Sequence, residues 1–201
     1  MNTDREVKEA AEIIKQGGVV AFPTETYYGL AADPFNSEAV KKLFRLKNRP
    51  EQKPVLLLIS DLEQLEPLVK EIPPVFQPLF VLWPAPLTLV FKARSTLSSS
   101  LTAGTGTVGV RISPHPSASA LVKQVGRPIT ATSANPSGRP PAIKAEAVKE
   151  YFGRRLDYLL KGGTTTGGAP STLVGYEGDE LVLLREGALS FDRLKAYVHP
   201  S

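Results

Sequence analysis

Short runs rich in valine, leucine and isoleucine recur along this chain, and they restrict its fold more than any other feature. Each run has four to six residues and is bounded by proline, glycine or polar turn formers, which is typical of buried strands. The predicted strands are residues 19–22, 54–59, 87–91, 108–112, 128–132, 172–176 and 181–185. The last two flank Glu177-Gly178-Asp179, so we predict that they form a hairpin.

Segments with helical spacing lie between these runs. A capping box of Thr3 and Glu6 begins the first helix, and Ser37 is predicted to cap the second, whose apolar stripe from Val40 includes Lys47. Further helices are predicted from a second capping box at residues 60–63 and at residues 72–83, 118–124, 145–152 and 191–198, with a long loop at 95–107.

Adjacent strands interrupt a strict alternation of strand and helix. This order predicts an α/β fold, α+β in some classifications, in which helices flank a twisted mixed β-sheet. The 201 residues can bury one good-sized core, and no linker marks a boundary. We therefore predict a single domain over residues 1–201.

The composition argues against several classes of function. The chain has no cysteine, which rules out disulfides and thiolate metal sites. Its two histidines, His115 and His199, lie in a loop and in the tail, so neither a metal site nor a Ser-His-Asp triad is expected. Without a membrane-spanning run or a signal peptide, the chain is expected to be cytoplasmic. The net charge of +4 favours anionic ligands such as nucleotides or RNA.

Polar segments lie next to several of the predicted strands and at the end of the second helix. They are residues 22–30 (FPTETYYGL), 47–54 (KNRPEQKP), 132–138 (TSANPSG) and 170–174 (PSTLV), with Arg111 and Arg185 on other strands. Taken singly, each is explained by turn formers or by cations at a helix C-terminus. Together they hold cations and hydroxyls with almost no general acid or base, which suits the binding of phosphates and carboxylates. The chain has no P-loop, so nucleotide binding would follow another pattern.

These segments resemble, in order, the signature blocks of the YrdC family. A further block, Trp83-Pro84-Ala85-Pro86-Leu87-Thr88, lies between the segments 47–54 and 132–138, and the resemblance extends over about residues 5–190. The resemblance implies a YrdC-like fold with a central basic cavity. It implies a nucleotidyltransferase that makes L-threonylcarbamoyl-AMP and pyrophosphate from L-threonine, bicarbonate or CO2, and ATP. The product would serve the threonylcarbamoyladenosine modification of tRNA next to the anticodon, through a separate threonylcarbamoyl transferase complex. No cofactor would be tightly bound, and magnesium is expected with ATP.

The resemblance also implies roles for individual residues. Lys47 and Arg49, which form the family's Lys-x-Arg element, would be catalytic. L-Threonine would be held by Thr26, Arg111, Ala131 and Ser171, and ATP by Arg49, Lys53, Thr107, Ser133, Asn135, Pro141 and Arg185. Lys53, Ala131 and Pro141 depart from the side chains found in some members, so contacts there would partly use the backbone. The chain ends at Ser201 and resembles the short form of the family.

Two other functions remain open from the residues. The positive charge is compatible with a module that binds tRNA or double-stranded RNA on a basic concave surface, although the pattern of an RNA-recognition motif is missing. A relative of the same fold could instead transfer a carbamoyl group to another acceptor, which turnover with carbamoyl phosphate would reveal.

Overall fold

The structure is a computed structural model that describes residues 4–50 and 52–198. The predicted cap Thr3 and the tail residue His199 lie outside the described residues. The α-helices are α1 (Asp4–Lys15), α2 (Ser37–Lys47), α3 (Ser99–Thr102), α4 (Pro116–Val125), α5 (Ala145–Phe152) and α6 (Phe191–Val198), and there are 3-10 helices at Leu62–Leu65, Pro74–Leu82 and Gly153–Arg155.

Nine strands form one mixed sheet in the order β7-β1-β2-β6-β3-β5-β4-β8-β9. They are β1 (Val20–Pro23), β2 (Tyr28–Ala31), β3 (Leu56–Leu58), β4 (Leu87–Lys92), β5 (Thr107–Arg111), β6 (Ile129–Ser133), β7 (Tyr158–Leu159), β8 (Thr172–Glu177) and β9 (Glu180–Arg185). The pairs β1/β7, β3/β5 and β4/β8 are parallel, and the other neighbours are antiparallel. The mixed sheet with helices confirms the predicted fold class.

Both faces of the sheet are covered, which explains why its strands are apolar at successive positions. Ala21 and Leu57 pack into the larger core, whereas Phe22 and Leu58 pack into a smaller core with α1 and α4. Side chains of directly paired residues lie on one face, and Leu58 is paired with both Ile129 and Arg111. Arg111 therefore lies on the face that α1 and α4 cover in part.

Several predicted elements are wrong in detail. Asn36 rather than Ser37 caps α2, since its side chain accepts from the amides of Glu38 and Ala39. Asp61 rather than Ser60 caps the next segment. That segment, Leu62–Leu65, and Pro74–Leu82 are 3-10 helices, and Pro78 lies inside the second one, where it removes a backbone donor.

Several short elements were not predicted as such, among them the 3-10 helix Gly153–Arg155. β2 had been treated as part of a polar segment, β7 has two residues, and α3 lies in the predicted loop at 95–107. β2 matters most for the site, because it places Gly29 opposite Ser133 at the C-terminal end of β6.

Candidate active site

A cavity of about 550 Å³ lies on the sheet face where Arg111 is found. Its lining combines apolar residues with hydroxyl groups and basic side chains, and it includes Thr24, Thr26, Tyr27, Tyr28, Gly29, Arg49, Lys53, Pro54, Leu56, Arg111, Ala131, Thr132, Ser133, Pro141, Pro170, Ser171, Leu173 and Arg185. Residues from the β1–β2 turn, the end of α2 and strands β3, β5, β6, β8 and β9 thus meet in one hollow. The described lining contains four lysine or arginine side chains and no aspartate, glutamate or histidine.

Arg111 forms a buried ion pair beside this hollow. Its Nη1 donates to Glu25 Oε1, and the other carboxylate oxygen of Glu25 accepts from Ser113 Oγ. Side-chain exposure is only 8% for Arg111 and 15% for Glu25, so the pair is largely shielded from water. Burial lowers the pKa of Arg111, an effect that Glu25 opposes and Arg185 increases. We call Glu25, Arg111 and Ser113 the Glu25 cluster.

The turn between β1 and β2 carries Thr26 into the cavity. Thr24 Oγ1 donates to Tyr27 O at 2.7 Å and lies 3.3 Å from Thr26 Oγ1, which closes the turn. A glycine-rich loop then holds the turn from outside, because Gly167 N donates to Thr26 O at 2.7 Å and Tyr27 OH donates to Gly168 O. The Thr26 hydroxyl is therefore presented by a backbone fixed at several points.

Ser171 is fixed by two neighbouring strands. Its hydroxyl lies 2.8 Å from Oγ1 of the buried Thr88 on β4, and Nη2 of Arg185 on β9 donates to Ser171 O at 2.8 Å. Arg185 is exposed, and no acidic side chain among the described residues forms an ion pair with it. Its positive charge is available to a ligand.

The end of α2 directs Arg49 toward the cavity. Asn48 has a left-handed backbone (φ 49°), and the amide of Arg49 donates to Phe44 O at 3.0 Å, so the chain leaves the helix there. The Arg49 guanidinium donates only to backbone carbonyls, to Lys53 O at 3.1 Å and to Pro54 O at 2.6 Å. Burial lowers the pKa of Arg49, and its charge is not neutralised by a described carboxylate.

Lys47 lies behind the cavity wall. It is 2% exposed, and its Nζ donates to Ser133 O, to Asn135 O at 2.8 Å and to Asn135 Oδ1 at 3.5 Å. Burial and, to a lesser extent, the charge of Arg49 lower the pKa of Lys47 to about 7, whereas the three acceptor oxygens favour its charged form. Ser133 Oγ in turn donates to Asn135 Oδ1 at 2.5 Å. We call Lys47, Arg49, Ser133 and Asn135 the Lys47 cluster.

The structure brings most of the predicted site residues together. The cavity is lined by Thr26, Arg49, Lys53, Arg111, Ala131, Ser133, Pro141, Ser171 and Arg185, all of which the resemblance implies. Lys47 and Asn135 do not line it, but they contact Ser133, which does. Thr107 lies at the other end of β5 from Arg111, and its hydroxyl is 2.8 Å from Thr105 Oγ1 rather than in the cavity.

Several contributors were not among the predicted site residues. Thr24, Glu25 and Tyr27 lie in the polar segment 22–30, which directly follows a predicted strand. The glycine-rich loop at residues 162–168 had a turn-forming composition that could have marked it. The pairing of Glu25 with Arg111 spans 86 residues and has no signal in the sequence.

Two other features bear on the kind of site this is. Within residues 4–50 and 52–198, no three histidine, aspartate or glutamate side chains come close enough to hold a metal ion. His115 instead accepts from Ser117 N through Nδ1 at the start of α4. Among the helices of the described part of the chain, none is both long and apolar enough to cross a membrane.

Comparison with known proteins identifies the family. Residues 12–187 match the Sua5/YciO/YrdC family, which carries the description telomere recombination. The chain belongs to the Sua5/YciO/YrdC family. A relative from Bacillus subtilis (strain 168), named threonylcarbamoyl-AMP synthase, is 40% identical over 199 residues, which are 98% of this chain and 58% of the relative. A second protein of that name, from Halorhodospira halophila, is 40% identical over 157 residues, 78% of this chain and 82% of that protein.

A solved structure of a family member has the same fold. The crystal structure of Pyrococcus abyssi Sua5 complexed with L-threonine matches with a TM-score of 0.92 and 39% identity, over 97% of this chain and 58% of that one. The chain thus spans less than two thirds of the length of the Bacillus and Pyrococcus proteins. The similarity therefore covers one part of those proteins and nearly all of this chain.

Proposed function

We propose that this chain makes L-threonylcarbamoyl-AMP and pyrophosphate from L-threonine, bicarbonate or CO2, and ATP. One observation carries the proposal. A single cavity is lined both by a buried, ion-paired arginine with hydroxyl groups near it and by cations that have no acidic partner among the described residues. The names of the Bacillus and Halorhodospira relatives support it, as does the threonine complex of the Pyrococcus protein.

In the proposed reaction, Arg111 binds the carboxylate of threonine, and the hydroxyls of Thr26 and Ser171 bind its other polar groups. The free amine of threonine adds to CO2 to give a carbamate and a proton. A carbamate oxygen then attacks the α-phosphorus of ATP, the bond from that phosphorus to the bridging oxygen breaks, and pyrophosphate leaves. The described lining has no aspartate, glutamate or histidine to act as a general acid or base, so the chain would contribute mainly by holding charge and position.

Arg49, Lys53 and Arg185 would bind the phosphates, because planar guanidinium groups and ammonium groups suit phosphate oxygens. Magnesium would arrive with ATP, and its ligands would include phosphate oxygens, since no cluster of described carboxylates is available. The product would pass to a threonylcarbamoyl transferase complex that acts on tRNA.

Release of pyrophosphate tests the proposal. The purified chain should release pyrophosphate from ATP only when L-threonine and bicarbonate are both present, and a product with the mass of threonylcarbamoyl-AMP should form. Omission of either substrate is the control. Pyrophosphate release that ignores threonine, or no release with all three substrates, would contradict the proposal.

A further inference from the structure

Glu25 is a carboxylate that contacts Arg111, which lines the cavity, but Glu25 itself does not line it. One of its oxygens accepts from Arg111 and the other from Ser113 Oγ. Its own carbonyl accepts from Thr166 Oγ1 at 2.5 Å, so both the side chain and the backbone of Glu25 are held. The residue is therefore in place before any ligand binds.

We propose that Glu25 is a positioning residue that orients Arg111 toward the carboxylate of the amino-acid substrate. This inference rests on the proposed function, because it assumes that Arg111 meets an amino acid. Glu25 acts through Arg111 and makes no contact with substrate itself.

The geometry of the guanidinium group supports this role. Arginine has five N–H donors in a rigid plane, and the contact with Glu25 uses Nη1. Among the described residues, Glu25 is the one acceptor of a hydrogen bond from this guanidinium group, so its remaining donors are available to a ligand carboxylate. A long side chain without such an anchor would lose more conformational entropy on binding. Glu25 thus fixes one edge of the Arg111 guanidinium group and leaves another edge free to bind a ligand.

Charge supports the same role. Arg111 is buried on the sheet face, and the positive charge of Arg185 lies near enough to lower its pKa. An isolated guanidinium in that place would be costly to bury, and Glu25 balances it. An amino acid carries one positive and one negative charge. Its binding next to the neutral Glu25–Arg111 pair therefore adds no net charge to the site.

A second carboxylate–arginine pair separates positioning from simple stabilisation. Asp33, which is buried, binds Arg127 at 3.0 Å, and neither residue lines the cavity. Asp33→Asn weakens an ion pair as Glu25→Gln does, but away from the site. It is therefore the matched control.

The experiment measures the dissociation constants of L-threonine and ATP for the full chain by calorimetry. Glu25→Gln should weaken threonine binding about tenfold or more, as expected for a lost charge-assisted hydrogen bond, and should change ATP binding less than about twofold. In turnover, KM for threonine should rise while kcat stays near that of the unmodified chain. Asp33→Asn should leave both dissociation constants unchanged.

A double-mutant cycle shows whether Glu25 acts through Arg111. If it does, Glu25→Gln combined with Arg111→Lys should bind threonine no more weakly than Arg111→Lys alone. Additive losses would overturn the inference. So would a Glu25→Gln variant with unchanged threonine affinity, or one in which threonine and ATP affinities fall equally.

A milder variant keeps the test open if Glu25→Gln does not fold. Ser113→Ala removes the other partner of the Glu25 carboxylate, and we expect a smaller loss of affinity, again for threonine and not for ATP. Unchanged threonine affinity in a folded Ser113→Ala protein would then overturn the inference. If the unmodified chain binds no threonine and releases no pyrophosphate, it is the proposed function that fails.

Discussion

The Glu25 cluster and the Lys47 cluster both hold buried or partly buried cations beside one cavity, but they balance charge differently. In the first, a carboxylate pairs with Arg111. In the second, Lys47 and Arg49 donate to backbone carbonyls and to the amide oxygen of Asn135. One region is close to neutral, and the other carries positive charge with no described acidic partner.

Under the proposed function, this difference would let one cavity bind two unlike ligands. A paired arginine is held in place and suits the single carboxylate of a zwitterion. Unpaired cations bound to neutral oxygens retain an attractive potential for a triphosphate. Partial exclusion of water strengthens both effects, because the lower local dielectric constant screens the charges less. The following predictions test whether the two regions really differ in this way.

Replacement of Arg49 should have the largest effect. Arg49→Ala removes a cation that is not neutralised and that faces the cavity, so the loss of about 2–4 kcal/mol of transition-state stabilisation should lower turnover roughly thirty- to a thousandfold. The measurement is pyrophosphate release at saturating substrates. Arg45→Ala, one helical turn earlier and exposed, is the control and should keep its activity. Equal losses in the two variants would mean that general surface charge, not the position of Arg49, matters.

The pH dependence of stability should reveal Lys47. Its pKa falls from 10.5 to about 7 on folding, so the unfolded chain binds more protons between these values and stability should rise with pH there. Relative to Lys47→Met, the free energy of unfolding of the unmodified chain should increase by about 2 kcal/mol from pH 7 to pH 9. Denaturant unfolding at several pH values measures this. Lys41→Met, on the exposed side of the same helix, should follow the unmodified chain. A constant difference would show that the oxygen acceptors keep Lys47 charged.

The smallest expected effect is a difference between the two regions in how added salt changes ligand affinity. Because exposed, unpaired charges are screened by ions, the dissociation constant for ATP should rise severalfold, roughly three- to tenfold, between 50 and 500 mM salt. The dissociation constant for threonine should change less than about twofold, since the Glu25 cluster is paired and buried. Calorimetric titrations at fixed magnesium measure both. Equal salt dependence would remove the electrostatic distinction between the regions.

Much of the fold follows from patterns that the sequence shows directly. The longer strands β4, β5, β8 and β9 have enough apolar residues to be recognised, whereas β7 has two residues and is paired only because β1 lies beside it. The segment after Asp61 has a helical cap but forms one 3-10 turn, since Pro67 follows closely. Such outcomes depend on neighbours in space rather than on local preference.

The site was predictable as a set of residues but not as an arrangement. The family resemblance identifies most of the residues that line the cavity, but it does not show that the Lys47 side chain is buried in the protein. The helical spacing contained that signal, because Lys47 shares the apolar stripe with Val40 and Leu43. Glu25 lies in the turn between β1 and β2, and Arg111 ends β5, so only the order of strands in the sheet brings them into contact.

A crystal structure of the chain with L-threonine and a non-hydrolysable ATP analogue tests the central idea most directly. We predict that the threonine carboxylate lies within hydrogen-bond distance of Arg111, while Glu25 still contacts the other edge of that guanidinium. The triphosphate should lie beside Arg49 and Lys53 in the same cavity. A threonine bound at Arg49 with phosphates at Arg111, or two ligands bound in separate cavities, would contradict the division of the site proposed here.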